Sequence, residues 1–512
     1  MSGDEHIQQE EPVSDKEVYF EEEPVKAEEP VKEEPKEEPV VEEHTKESTN
    51  KPCISKPTCK PKEVGNYAIG LPASSLEEFT TALNRFSEIL TESNKDHVKW
   101  RDTSQEATEF YTPGGLYQDR LDDGKANWQQ GVISPSGDVV GMSSVAMKSR
   151  EGELKGEIAL LKVAKRLGMG EVVNVMLPHS GIWLTVKPPT DRDLIDFYNT
   201  VFREKVAFGT ATSGLGFSNF AVHMNNRVYE FISRHIHNLS YSDMPKDQLG
   251  NYMVIHDFPF LVHGFAKAMF PNGFDYSRAC NVNLQECTHV STQTIDLDTM
   301  VYIDNNSLTQ TQRNILSVNR PNVNTLETYR TFKAEHPLMV GSSYTTKTGI
   351  KFNFKIPTFN EHTADGLAWI NSISSVVDNL MVVNEADDET KKDMLTQYIK
   401  ASILRQFNHF VESIELDENE IVVDRDTING TLELFSSDDD LRNELTKAII
   451  EFKSKTTLAV IGIDKYTCPN CQKEQLASET LPMFKQVIPI DSVNLFFLLL
   501  TSKISKILER EM

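Results

Sequence analysis

The sequence predicts an α+β protein that is mostly helical, with small sheets, a zinc-knuckle-like C-terminal region and a disordered acidic arm before the folded part. Apolar residues recur at helical spacing in several long segments, which predicts amphipathic helices. Short apolar runs bounded by Gly and Pro lie between them and predict strands. The first residues hold many charges and few apolar side chains, so they predict no packed core.

Four regions are predicted along the 512 residues. Residues 1–65 form the acidic arm, and residues 66–150 form an N-terminal helix and loop region. Residues 151–345 form a middle α+β domain with one pair of cysteines. Residues 346–512 form a C-terminal helical domain that contains a Cys-Pro-Asn-Cys sequence. The two larger regions have the usual size of domains, roughly 100 to 200 residues each.

The arm is the most unusual part of the composition. Residues 1–50 contain 18 Asp and Glu against 5 Lys, so they carry about half of the net charge of -25. Residues 22–43 read EEPVKAEEPVKEEPKEEPVVEE, in which frequent proline excludes helix and the glutamates repel one another. We expect an extended, solvated segment or, alternatively, a tether that docks on a basic surface of a partner during assembly.

Local signals predict the first helices and strands. A capping box at Ser75 and Glu78 opens a predicted amphipathic helix of about four turns within the stretch 71–93, and its apolar stripe is Leu76, Phe79, Leu83, Phe86 and Leu90. Residues 97–150 are rich in Gly, Pro, Asp and Ser and predict loops and short strands, with a turn at SPSGD between GVI and VVGM. A short helix over about 153–167 is predicted to stop at Gly168.

Later segments contain the same kinds of local signal, namely apolar runs that predict strands and capping residues that predict helix starts. The apolar run GIWLTV predicts a strand, and the helix after it is predicted to have Thr190 as its N-cap and Asp193 at N3. The runs TLAVIGI and KQVIPI predict strands on either side of the Cys-Pro-Asn-Cys turn, and Asp491 is predicted to cap the last helix. Ser437 is predicted to open one of the remaining helices, which cover 192–206, 224–239, 256–270, 387–413 and 438–454.

The cysteines carry the clearest chemical signal. Cys468 and Cys471 lie between two predicted strands, so the pair falls at a turn from which both sulfurs can reach one ion at about 2.3 Å. A redox pair would require a helix that starts at the first thiol, and the pattern around it supplies none. Structural zinc requires four ligands, and Cys280 and Cys287, which flank a polar loop, are the remaining candidates outside the arm.

We therefore predict a split structural Zn²⁺ site whose ligands are Cys280, Cys287, Cys468 and Cys471. The alternatives are a site in which His289 is one of the ligands and a set of thiols without metal. Four thiolates would leave no open coordination position, so the metal would be structural and not catalytic. Cys53 and Cys59 lie at the end of the arm and are interpreted as free thiols.

Composition and motifs argue against several classes of protein. The acidic balance and the lack of a Lys/Arg run argue against a protein that neutralises nucleic acid. Six cysteines at irregular spacing, no apolar signal segment and no apolar run of membrane-spanning length predict a soluble protein of a reducing compartment. No nucleophile-elbow, metalloprotease, phosphate-loop or kinase signature occurs, so the chain is predicted not to be an enzyme. An enzyme with an unrecognised site is the alternative.

The sequence resembles virion proteins of contractile-tailed bacteriophages from FPNGFDYSRAC through Cys287 to TIDLDTMVYIDNNSLTQTQRNIL, and again at CPNCQKE followed by IPIDSVNLFFLLL. The family is that of baseplate hub or tail-assembly proteins of the T-even-like and jumbo types, and the resemblance covers about residues 150–512. It implies a non-enzymatic subunit of the tail baseplate, synthesised in the host cytoplasm and located in the virion. It further implies Cys280, Cys287, Cys468 and Cys471 as metal ligands.

The partners expected from this resemblance are other tail or baseplate subunits, without a small-molecule substrate, nucleic acid or membrane insertion. Two other functions compete with it. A transient assembly chaperone would bind hub proteins and be absent from the mature virion. A zinc-containing nucleic-acid-binding protein would carry basic and aromatic residues around its knuckle, where the sequence offers only Lys465, Tyr466 and Lys473.

Overall fold

The structure is a computed structural model that confirms the α+β class, with small antiparallel sheets among its helices. It describes residues 126–145, 156–211, 216–279, 287, 289–318, 323–335, 342–368, 398, 401–417, 420–464, 467–473 and 487–511. The predicted acidic arm and the predicted helix over 71–93 lie outside these residues. No helix within the described ranges combines the length and the apolar character that crossing a membrane requires.

Eleven helices and sixteen strands are defined within these ranges. The helices are α1 Gly156–Arg166, α2 Asp191–Ala211, α3 Gly216–Ser233, α4 Leu249–Tyr252, α5 Phe258–Met269, α6 Gln310–Leu316, α7 Leu326–Ala334, α8 359–368, α9 Arg425–Ser436, α10 Asp439–Lys455 and α11 Ser492–Glu511. The strands are β1 Trp128–Gln129, β2 Val132–Ile133, β3 Val139–Val140, β4 Ser143–Ser144, β5 Val173–Leu177, β6 Ile182–Val186, β7 Ile236–Leu239, β8 Phe274–Ala279, β9 Val290–Ile295, β10 Val301–Asp304, β11 Ser343–Thr345, β12 Lys351–Phe354, β13 Val411–Asp417, β14 Glu420–Val422, β15 Ala459–Asp464 and β16 Val487–Pro489.

Three four-stranded antiparallel sheets organise the described chain, in the orders β4-β5-β6-β7, β1-β10-β15-β16 and β11-β12-β13-β14. The first is the most buried, since every residue of β5 and β6 is buried. Helix α5 packs directly on β5, and Gly264 is required there because a Cβ at this position would collide with Val175. Two separate hairpins, β2-β3 and β8-β9, complete the strand pairing.

The buried apolar residues form two main cores. The larger core contains residues between 132 and 332, Phe359, and residues between 458 and 507 near the end of the chain. The smaller core lies around β11 to β14, α9 and α10, and it includes Val254 from the first part of the chain. The predicted C-terminal domain, 346–512, therefore contributes to both cores: the chain builds the smaller core and then returns to the larger one.

Short-range signals gave the correct positions for several elements. Thr190 and Asp193 form the predicted reciprocal cap of α2, with Asp193 N donating to Thr190 Oγ1 at 3.2 Å and Thr190 N donating to Asp193 Oδ2 at 3.0 Å. Helix α1 ends at Arg166, close to the predicted end, and Gly168, two positions later, has a φ of 67° that suits the turn after a helix. Asp491 accepts from the N–H groups of Val493 and Asn494 and caps α11.

Other predictions were wrong where tertiary contacts decide the backbone. The helix predicted over 224–239 ends at Ser233, because residues from Ile236 onward pair with β6 as strand β7. The helix predicted over 387–413 is helical at residue 398 and over 401–410, but its last three residues belong to β13, which pairs with β12. Its other residues lie outside the described part of the chain. The cap of α10 is Asp438 and not Ser437. The pairing of β7 with β6 and of β13 with β12 leaves no signal in the hydrophobic periodicity of the local sequence.

A polar network inside the larger core fixes where the chain returns. Asp257 is fully buried and accepts hydrogen bonds from the N–H groups of His179 and Ser180, at 2.9 and 2.6 Å, and from His179 Nδ1 at 2.9 Å. The opposite ring nitrogen of His179, Nε2, accepts from the N–H of Leu458 at 2.9 Å. The imidazole is therefore a neutral tautomer with its proton on Nδ1, and it joins the β5-β6 turn to the residue before β15.

His263 on α5 is a second buried histidine, and it makes the stability of the protein sensitive to acid. Its Nε2 donates to the carbonyl of Leu297 at 2.8 Å, and burial lowers its pKa to about 4. The unfolded chain, with an ordinary histidine pKa of about 6.5, binds more protons than the folded chain between these two values. The stability that comes from keeping this ring neutral is therefore present above about pH 6.5 and is lost as the pH falls towards 4.

We predict that His263→Gln flattens the loss of stability on acidification. Glutamine stays neutral over this range, so the gap in unfolding free energy between wild type and variant should narrow by on the order of 3 kcal/mol between pH 7 and pH 4. Urea unfolding at several pH values measures this gap. The buried His362, whose pKa burial lowers to about 3, is present in both proteins and cancels in the comparison. Parallel pH curves for the two proteins would contradict the prediction.

Candidate metal centre

Three of the four predicted ligand cysteines lie together in the structure. The sulfur atoms of Cys287, Cys468 and Cys471 are all within 4.8 Å of one another, and the Sγ atoms of Cys287 and Cys468 are 3.7 Å apart. Cys468 is fully buried, Cys287 is 2% exposed, and Cys471 is half-buried. Cys287 and Cys468 are 181 positions apart in the sequence, so the cluster joins two distant parts of the chain. Cys280, the fourth predicted ligand, lies outside the described residues.

The Cys-Pro-Asn-Cys segment forms a compact knuckle after β15. The N–H of Cys468 donates to the carbonyl of Lys473 at 3.0 Å, and the N–H of Gln472 donates back to the carbonyl of Cys468 at 2.8 Å. These bonds turn the chain tightly, and Gln472 takes a left-handed φ of 58° to close the turn. The backbone alone therefore places both knuckle sulfurs on one side, as the sequence pattern predicted.

The other side of the cluster comes from the hairpin β8-β9. Six residue pairs hold this hairpin in register, from Phe274 opposite Ile295 to Ala279 opposite Val290. Cys287 lies three positions before Val290, and Cys280 directly follows Ala279 in the sequence. The end of a well-paired hairpin therefore carries one cysteine of the cluster.

Asn470, between the two knuckle cysteines, contributes a polar contact that sequence reasoning missed. Its Nδ2 donates a hydrogen bond to Cys287 Sγ at 3.2 Å across the cluster. A donor aimed at sulfur favours the thiolate over the thiol, because the charged form is the stronger acceptor. The sequence did contain a signal for this contact, since the residue between the two knuckle cysteines, Asn470, has an amide side chain that can donate a hydrogen bond.

The geometry is suitable for a metal ion. Four thiolates at about 2.3 Å from a tetrahedral ion lie about 3.8 Å from one another, close to the observed 3.7 Å between Cys287 and Cys468. The same separation is far longer than the ~2.05 Å of a disulfide, and the three residues are reduced. Within the described ranges this is the one group of three or more metal-ligating side chains. The cluster could therefore bind a metal.

His289, His235 and His256 are not part of the group of three cysteines. His289 is half-buried near the start of β9, but its ring is not part of the three-residue group. His235 packs against Phe231 and Phe265, and burial lowers its pKa. The Nε2 atom of His256 lies 3.2 Å from Thr456 Oγ1 in the interior. The last two histidines contact side chains of the fold and do not belong to the cysteine cluster.

A buried ionic cluster was also missed by sequence reasoning. Lys267 on α5 is 3% exposed, and its Nζ lies 2.8 Å from Asp296, 3.1 Å from Asp298 and 3.9 Å from Glu171. Burial alone would lower the pKa of Lys267, but Asp296 and Asp298 outweigh burial and raise it. The ammonium group occupies the centre of this cluster and balances the charge of the carboxylates around it.

Comparison with known proteins gives no relative of this chain. No protein-family model matches it, and neither the curated proteins nor the solved structures contain a match.

We predict that the two thiols of the knuckle, Cys468 and Cys471, react with an alkylating agent at different rates because they differ in burial. In native protein treated with a chelator, iodoacetamide should alkylate the half-buried Cys471 at least about ten times faster than Cys468, which becomes accessible only on local opening. Peptide mapping of time points separates these residues from Cys53 and Cys59. Equal rates at Cys468 and Cys471 would show that the knuckle does not have this structure in solution.

Proposed function

We propose that the cysteine cluster is a structural Zn²⁺ site with Cys280 as the fourth ligand beside Cys287, Cys468 and Cys471. Thiolate sulfur at tetrahedral spacing is the ligand set that zinc prefers in structural sites. The three sulfurs within 4.8 Å support this proposal directly. The donor set lacks carboxylates, which argues against Mg²⁺ and Ca²⁺.

The position of Cys280 in the sequence supports its assignment as the fourth ligand. It follows Ala279, which is paired with Val290 at the end of the hairpin, and Cys287 approaches the same end from the other strand. Cys280 and Cys287 therefore flank the same hairpin end in the sequence. His289 is the alternative ligand, since it directly precedes Val290.

We further propose that the protein is a non-enzymatic structural subunit of a contractile phage tail, in the baseplate or hub. The observation that supports this best is the convergence of Cys287 with Cys468 and Cys471 across 181 positions, because these cysteines belong to the stretches that resemble the phage proteins. A site closed by four thiolates holds segments together and leaves no position for a substrate. The expected partners are other tail subunits, and the expected location is the virion.

We predict about one zinc per chain in recombinant protein and loss of this zinc in Cys471→Ser. Cys53→Ser is the matched control, because Cys53 lies in the arm, and it should keep the metal. The fourth ligand follows from two further variants: Cys280→Ser should lose zinc and His289→Ala should keep it. Elemental analysis after gel filtration with a competing chelator measures all four proteins. Full zinc content in Cys471→Ser would disprove the site.

We predict that the protein is present at a fixed stoichiometry in purified tailed particles of the phage that encodes it. Quantitative mass spectrometry of particles measures this ratio, and labelling with a specific antibody locates the protein at the baseplate end. A transient chaperone would appear in infected cells and assembly intermediates and be absent from mature particles. That outcome would replace the structural function by the chaperone function and would leave the zinc site untouched.

A further inference from the structure

We propose that the cysteine cluster is a peroxide-sensitive switch, in which oxidation joins Cys468 to Cys471 by a disulfide and releases the metal. This inference rests on the proposed zinc site and concerns the regulation of that site. The cluster places one half-buried sulfur, that of Cys471, beside the buried sulfurs of Cys287 and Cys468. Oxidation of cysteine follows thiolate character and exposure, so a peroxide should react with Cys471 first.

The knuckle has the geometry that a disulfide between its own two cysteines requires. The N–H of Gln472 donates to the carbonyl of Cys468 at 2.8 Å, so residues 468–472 form a single helical turn that is not continued. Side chains three positions apart on a helical turn have Cβ atoms roughly 5–6 Å apart. The sulfurs of Cys468 and Cys471 lie within 4.8 Å of each other. A disulfide joins Cα atoms about 4.4 to 6.8 Å apart, so this turn can accommodate the bond.

The reaction takes two steps, and hydrogen peroxide is the oxidant. The sulfur of Cys471 attacks one peroxide oxygen and breaks the O–O bond, which gives a sulfenic acid at Cys471 and releases hydroxide. The thiolate of Cys468 then attacks the sulfur of the sulfenic acid, the S–S bond forms, and a second hydroxide leaves. The two cysteines together lose two electrons, and the peroxide that accepts them becomes two hydroxide ions, which the solvent protonates to water.

Cys287 is the other buried thiol beside Cys471, and two contacts disfavour it as the second reactant. The Nδ2 of Asn470 donates to Cys287 Sγ at 3.2 Å, and this bond uses a sulfur lone pair that an attack would need. Cys287 also lies 181 positions from Cys468, near the end of a separate hairpin, whereas Cys468 and Cys471 share one turn. The product is therefore a knuckle disulfide, and Cys287 stays a thiol.

The disulfide removes two of the four thiolates that structural zinc requires, so the ion leaves the site. The fold should survive this loss, because strand pairing positions both sides of the cluster. Residues 301–303 of β10 pair with 459–461 of β15, and the six residue pairs of β8-β9 hold the hairpin. Oxidation therefore separates the knuckle from the hairpin end without unfolding the chain, and a reductant together with Zn²⁺ should reverse it.

Treatment of the zinc-loaded full chain with hydrogen peroxide tests the switch. Cys53→Ser and Cys59→Ser first remove the two thiols of the arm, which would otherwise contribute disulfides of their own. Zinc is measured in the untreated protein and then as metal released to a coloured chelator, and mass spectrometry of unreduced peptides maps the disulfides. We expect about one zinc released per Cys468–Cys471 disulfide. The circular dichroism spectrum should stay unchanged, and dithiothreitol with Zn²⁺ should restore the thiols and the metal.

Cys471→Ser in the same background provides a second test, in which variant and parent are compared without metal. Oxidation of Cys468 should slow at least about tenfold, because this fully buried thiol has lost its more exposed neighbour. Zinc retained after peroxide, a disulfide that contains Cys287, or an unchanged rate at Cys468 in the variant would overturn the switch. Lack of zinc before peroxide is added would disprove the zinc site itself, and the switch with it.

Discussion

The structure depends on one long-range constraint, the return of residues 458–464 to the larger core. Leu458 is fixed on both sides of its backbone: its N–H donates to His179 Nε2 at 2.9 Å, and its carbonyl accepts from the N–H of Asp304 at 2.9 Å. The following residues pair with β10 and form an inner strand of the sheet. His179 and Leu458 are 279 positions apart in the sequence. Closing a loop of this length costs about 4 to 5 kcal/mol of chain entropy, which the burial of β15 and its hydrogen bonds offset.

The same constraint explains how the three clustered cysteines meet. The knuckle follows β15 closely, so the pairing of β15 with β10 has already brought Cys468 near the middle of the chain before any ion binds. The hairpin β8-β9 places Cys287 independently. A metal bound here gains a preformed site and need not organise the fold, in contrast to small zinc domains, which are unfolded without their ion. Its main effect should be to fix the knuckle against the hairpin end.

Local chemistry explains which parts of the fold the sequence could predict. The cap at Thr190 and Asp193, the cap at Asp491 and the stop at Gly168 each depend on a few adjacent residues, and all three were correct. Strands β7 and β13 were missed because their conformation comes from pairing with β6 and β12, which the periodicity of a single segment does not reveal. The cysteine cluster could be predicted because metal chemistry requires a fixed number of ligands.

Residues 253–255 and 357–359 form the joint between the two cores, and contacts between these distant segments define it. Ile255 N donates to the carbonyl of Pro357 at 3.0 Å, and Phe359 N donates to the carbonyl of Met253 at 2.8 Å. These backbone hydrogen bonds hold the two segments of the joint together. Val254 adds an apolar contact, since its side chain lies in the smaller core. Backbone bonds in a buried segment resist hinge motion because opening them would expose unsatisfied polar groups. A connection of this kind favours movement of the two cores as one unit and disfavours their motion as separate domains.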